Sequence, residues 1–294
     1  MPITGVVRWL GTTALVCAAA GCGSSVTITS TTSGTDSGTG GTAGAGVGGA
    51  GGGVGGAGGN AVPSPCPASP AGATALVEVA TLAGTAECIE ATEVTRGQYE
   101  IWLNEGGVPP GLPVECGFNV EYEPVADWPP SGVGLDRPVT HVDWCDALAY
   151  CLDHDRRLCG RIGGGSLSPA ATNDASESEW FNACSSQGER LYPYGQTYEP
   201  TTCNGSEMGL SGTTDVASLA GCVESTLGVF DLSGNVWEWE DSCHSDTGAS
   251  DDCNIRGGAY NNGPSSLDCG AKATATRSGT AVNVGFRCCA DPLQ

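Results

Sequence analysis

Of the sixteen cysteines in the chain, fourteen lie between Cys66 and Cys289, and two, Cys17 and Cys22, stand apart near the start. An even and dense set of this kind constrains the fold more than any other feature. Oxidised pairs can hold together a core built from loops and short strands, with little regular secondary structure. The set lacks the repeated C-x-x-C spacing of a zinc ribbon, and Cys145 and Cys151, on a helical stretch, are too far apart for that reading. A framework of up to seven disulfides is expected, which requires an oxidising compartment.

The first residues are consistent with that compartment. Arg8 precedes an apolar run from Leu10 to Ala20, too short to remain as a membrane span, which ends in small residues like a secretory signal over 1–21. Ala19-Ala20-Gly21-Cys22 resembles the bacterial lipoprotein cleavage box, in which the cysteine becomes the lipidated first residue. Residues 22–65 are Ser/Thr-rich and then Gly-rich. They bury almost nothing and read as a flexible tether with an average reach of about 35–40 Å. The expectation is an exported lipoprotein of the outer membrane or cell surface, its domain at 66–294 held off the membrane by this tether.

Acidic residues outnumber basic ones 33 to 11, a net charge of −22. That balance argues against nucleic acid and anionic membrane surfaces as partners, is compatible with bound cations although a solvated acidic face is the commoner cause, and favours a neutral or basic peptide, glycan or protein ligand. Within 66–294, Thr95-Arg96-Gly97-Gln98 is a capping box before Tyr99, Trp102 and Leu103 at helical spacing. Asp143 predicts the cap of a second helix striped by Trp144, Leu148 and Leu152. Ser176-Glu177-Ser178-Glu179 predicts a third, ahead of Trp180 and Cys184. Elsewhere short β-like runs are cut by Gly, Pro and Asn without βα alternation, so an α+β domain is expected.

The order of segments is distinctive: ATEVTRGQY at 91–99, RPVTHVDWCDALAYC at 137–151, GVFDLSGNVWEWEDSC at 228–243, IRGGAY at 255–260 and VGFRCCAD at 284–291. It resembles the formylglycine-generating enzyme family, or sulfatase-modifying factor domain, over nearly all of 75–291. The resemblance implies a variant of the C-type-lectin-like fold, low in regular structure and often holding calcium. It places a calcium site on the side chains of Asp231 and Glu238 and the carbonyls of Gly234 and Val236, oxygen donors of the kind a hard cation takes. The alternative is that both acids satisfy turn amides. A second family site begins at a position resembling Asn204, with its acidic partner near Asp215.

Oxygen-dependent members of the family use two cysteines that hold copper(I), a soft ion suited to paired thiolates. By resemblance the first thiol belongs just after the RGGAY turn, where Asn262 stands, and the second at Leu267. Cys269 is the one candidate remnant, so copper chemistry is not expected. The likeness also implies the pairs Cys151–Cys288 and Cys184–Cys269, while Cys203–Cys222 and Cys243–Cys253 read as local loops. Cys288 and Cys289 should reach different partners, since neighbouring side chains of an extended segment point opposite ways. The resemblance further implies a client groove beside the RGG turn, with Tyr260, Asn261 and Asn262 on its rim. The expected function is a binding or structural module of this family, with a divergent formylglycine-generating oxidase as the alternative. Arg256, Arg287 and the three histidines read as structural.

Overall fold

The computed structural model describes residues 65–107, 111–130 and 132–294. The signal segment, most of the tether and Cys22 lie outside the described residues. The first sheet begins with an antiparallel pair, β1 (Leu76–Ala80) and β2 (Ala86–Glu90). Helix α1 (Arg96–Asn104) follows, and its capping box is formed: Thr95 Oγ1 accepts from Gln98 N, and Gln98 Oε1 accepts from Thr95 N. Helix α2 (Trp144–Asp153) starts in the same way from Asp143, with Asp146 closing the box.

A two-residue strand, β3 (Arg157–Leu158), leads to helix α3 (Glu179–Ser185). Here the expected cap moves by two residues. Ser178 caps the helix by accepting from Phe181 N at 3.1 Å, while Ser176 donates to Asp174 in the preceding turn. The serine nearer the first helical residue wins because its hydroxyl is within reach of the third helical N–H, as an N-cap requires.

Hairpin β4 (Val223–Glu224) and β5 (Val229–Phe230) precedes the longest strand, β6 (Trp237–Cys243). β6 lies antiparallel to β7 (Asp252–Arg256) and parallel to β9 (Val284–Gly285), with β8 (Lys272–Thr276) beyond β7. The last strand, β10 (Cys288–Ala290), returns to the first sheet, which runs β1-β2-β10-β3. The chain between β9 and β10 therefore crosses from one sheet to the other.

Tyr99, Trp102, Tyr150, Trp237, Trp239 and Phe286 are buried in one core that packs α1 and α2 on the second sheet. Seven disulfides bind these parts: Cys66–Cys88, Cys116–Cys145, Cys151–Cys288, Cys159–Cys289, Cys184–Cys269, Cys203–Cys222 and Cys243–Cys253. The four pairs expected from sequence are among them. Cys288 and Cys289 diverge as alternation dictates, one to α2 and the other to the segment after β3.

Several acids are buried without a cation. Glu87 on β2 accepts from Asn182 Nδ2 at 2.8 Å through one oxygen, while its other oxygen has no hydrogen-bond partner among the described residues. Burial, then the nearby Glu179 charge, pushes the Glu87 carboxyl up to about 9. Burial, then Asp143, raises Asp146 to about 7. A folded-state value above the unfolded one means that folding favours the protonated acid. The stabilisation is complete below the ordinary carboxyl range and is lost as pH rises through the folded values. Thermal melting should therefore show higher stability at about pH 5 than at about pH 8. Glu87→Gln, neutral and similar in shape, should stabilise the domain at the higher pH by about 1–3 kcal/mol and flatten the profile. A steeper profile for that variant would refute the assignment.

Candidate functional site

Strand alternation sets the site. Along β6, Trp237 and Trp239 enter the aromatic core, and Glu238 and Glu240 turn to the opposite side. Glu238 is 1 % exposed. Its Oε2 accepts from Arg287 Nε at 2.7 Å and Trp180 Nε1 at 2.8 Å, and its Oε1 accepts from Arg287 Nη2 at 2.7 Å. Arg287 also donates to the carbonyls of Glu90 and Phe230, at 3.0 and 2.8 Å.

Two further acids face this pair. Asp231, 2 % exposed, sits in the left-handed region at φ 59° and accepts from Ala217 N at 2.6 Å. Glu93, fully buried, accepts from Asn235 Nδ2 at 2.9 Å, and its Oε2 has no hydrogen-bond partner among the described residues. Three carboxyls thus surround one guanidinium, an excess of two negative charges if all ionise. Burial above all raises Asp231 to about 6, and burial followed by the Asp231 charge raises Glu93 well above the carboxyl range.

The turn between these groups needs its glycine. Gly234 has φ +81°, and a Cβ there would meet the Asn204 backbone. The oxygen-rich turn offers donors of the kind a hard cation takes, while a proton shared between Glu93 and Asp231 satisfies the same acids. Glu238 fits less fully, because most of its acceptor capacity serves Arg287 and Trp180. Among the described residues no three His, Cys, Asp or Glu side chains converge as a ready ligand set. Glu93 was missed by sequence reasoning. Nothing local marks it, since its partner Asn235 lies 142 positions away. Asn204 and Asp215 are not brought into a shared ligand set. Asn204 is buried and donates to Gly212 O and Asn235 Oδ1, while Asp215 is exposed 3.8 Å from Arg137.

The RGG turn supplies the second region. Gly257 and Gly258 both have positive φ, and a Cβ on Gly258 would strike Ser266 O. Asn262 folds back on this turn, its Oδ1 accepting from Ala259 N at 3.0 Å and its carbonyl accepting from Ser206 N at 2.9 Å. Leu267 is 1 % exposed and packs against Gly205 and Gly258. Cys269 is buried in its disulfide with Cys184, and its carbonyl accepts from Arg256 Nη2 at 2.7 Å. Arg256 lies over the Trp180 ring at 5.0 Å. No thiol stands at the turn.

Of the three rim residues, Tyr260 borders a cleft of about 160 Å³ together with Arg96, Arg137, Thr140, Thr213 and Val282. Asn261 is exposed and accepts from Asn283 Nδ2 at 3.0 Å, and Asn262 is committed to its turn. Each histidine sits apart: His141 is 3.6 Å from Asp127, His154 stacks on Tyr150, and the His244 backbone pairs with Asp252.

Fold and motifs agree with the comparison against protein families. The chain belongs to the sulfatase-modifying factor enzyme 1-like family, whose domain matches residues 80–292. The inactive C-alpha-formylglycine-generating enzyme 2 of Mus musculus is 30 % identical over 188 residues, covering 56 % of this chain and 55 % of that protein. The formylglycine-generating enzyme of Mus musculus is 28 % identical over 187 residues, covering 54 % and 45 %. The chain thus spans about half the length of these curated relatives. The structure of PvdO from Pseudomonas aeruginosa shares the fold, with a TM-score of 0.52, 18 % identity and coverage of 79 % of this chain and 100 % of that one.

Removing one member of a buried ion pair leaves the other uncompensated. Arg287→Met should cost about 3–5 kcal/mol in denaturant-unfolding free energy, because Glu238, Asp231 and Glu93 lose their shared cation. A loss below about 1 kcal/mol, the size of a surface pair, would contradict this role.

Proposed function

We propose that this chain is a catalytically silent member of its family, an exported binding or structural module held at the membrane by lipid on Cys22. One observation carries the reading. The positions resembling the family's thiol pair hold Asn262, which closes its own turn, and Leu267, which fills the interior, while Cys269 is oxidised. A divergent oxidase built on Cys269 has no thiol to use. The likeness to an enzyme described as inactive supports the same reading. The ligand surface in this reading is the cleft of about 160 Å³ at Tyr260, where Arg96, Asp127 and Arg137 meet Thr140 and Val282.

Incubated with copper(I), oxygen and a sulfatase-type cysteine peptide, the protein should leave the peptide mass unchanged. Formation of the aldehyde product would overturn the proposal.

Calcium belongs to the same reading. Asp231 and Glu238, with the carbonyls of Gly234 and Val236, would hold the ion, and its charge would offset the buried acids around Arg287. Its role would be to stiffen the turn rather than to take part in a reaction. Calcium at 100 times its dissociation constant should raise unfolding free energy by about 2.7 kcal/mol, and a chelator should reverse the effect. The readout is the melting temperature with isothermal titration. An unchanged melting curve with no binding heat removes calcium from the site.

A further inference from the structure

Thirteen of the fourteen described cysteines are buried, and Cys243 is the exception. It is partly exposed at the end of β6 and borders a cleft of about 300 Å³ with Trp144, Ser166, Asp241, Asp246 and Arg277. Its partner Cys253 lies directly opposite on β7 and is fully buried. This disulfide is therefore the one with a partly exposed cysteine beside a cleft, while both cysteines of each of the other six are buried.

The cleft also has a sign. Glu115, Asp241 and Asp246 border it with Arg277 as its one cation. Arg277 is itself engaged, donating to Ser245 O at 2.9 Å, lying over Trp144 at 4.9 Å and pairing with Asp246 at 3.4 Å and Asp251 at 3.5 Å, while burial raises the Asp241 carboxyl, so Glu115 is the acid on this wall with least to offset it. Ionised acids on this wall attract a cationic reagent and repel an anionic one.

Other contacts hold these strands besides the bond. β6 and β7 also pair through Glu238–Arg256 and Trp239–Ile255. The intervening loop is held by Asp251, which accepts from Ser245 Oγ, Thr247 N and Gly248 N at 2.7, 2.6 and 2.9 Å.

We propose that the Cys243–Cys253 disulfide is a thiol-exchange site that selects small cationic aminothiols. The sulfur of the incoming thiolate bonds to Cys243 Sγ as the Cys243–Cys253 bond breaks. The electron pair leaves on Cys253 Sγ, which takes up the proton given up by the incoming thiol. The result is a mixed disulfide on Cys243 and a thiol on Cys253, and no outside oxidant or reductant is needed.

The test uses the full oxidised chain at about pH 8 and low salt, with cysteamine, 2-mercaptoethanol and 3-mercaptopropionate as positive, neutral and negative thiols. Acid stops the reaction, N-ethylmaleimide labels free thiols after denaturation, and peptide mass mapping locates adduct and free thiol. The expected products are the thiol adduct on Cys243 and maleimide on Cys253, with the other six disulfides intact. Rates per thiolate should fall from cysteamine to 3-mercaptopropionate by about tenfold and converge at high salt. The double variant Glu115→Gln, Asp246→Asn should narrow that spread. Equal reaction at another disulfide, reaction only after unfolding, or a rate order unrelated to charge would each overturn the proposal.

Discussion

The Arg287 guanidinium joins all three β pieces of the domain. It sits on the crossover between β9 and β10, grips Glu238 of β6 with two nitrogens, and reaches the carbonyls of Glu90 on β2 and Phe230 on β5. Only an arginine presents enough donors in a fixed fork to serve four acceptors at once, and lysine could not span them. The pairing of sheets with so few strand residues depends on this contact. Strands of two residues add little ladder energy of their own, and the buried charge supplies the direction that hydrophobic packing lacks.

The sulfur framework completes what the guanidinium begins. Cys288 and Cys289 flank the Arg287 position and send bonds to opposite sides, one to α2 and one to the segment beyond β3. A crossover fixed by a charged fork and two adjacent cross-links has little freedom left. That rigidity allows the surrounding acids to be held in numbers an ordinary core would reject. It is also why Glu93 and Asp231 can remain beside Glu238 with one cation among them.

What the sequence revealed divides by distance along the chain. The helix starts at Thr95 and Asp143 were legible because a cap and its partner lie within one turn. Ser176 and Ser178 share that short range, and the choice between them turned on geometry that spacing alone does not resolve. The family motifs were legible because they are the segments that converge on Arg287, namely the GFR crossover, the WEW strand and the turn before it. The two-residue strands and the role of Glu93 were not legible. Their partners are distant in sequence, and neither periodicity nor local chemistry marks them. Of the three rim residues Tyr260 borders the cleft, and Asn262 has a local use for its amide that the linear pattern hid.

The region after the RGG turn is packed and hydrogen-bonded in its own right. Asn262 supplies an acceptor to the turn backbone, which a cysteine does weakly, and so shortens the turn's list of unpaired groups. Leu267 occupies the space between Gly205 and Gly258, where a thiol side chain would leave a void. Cys269 is drawn into the Cys184 bond and anchors Arg256 through its carbonyl. Each of these three residues is thus held by a contact of its own, beside the cleft that Tyr260 borders.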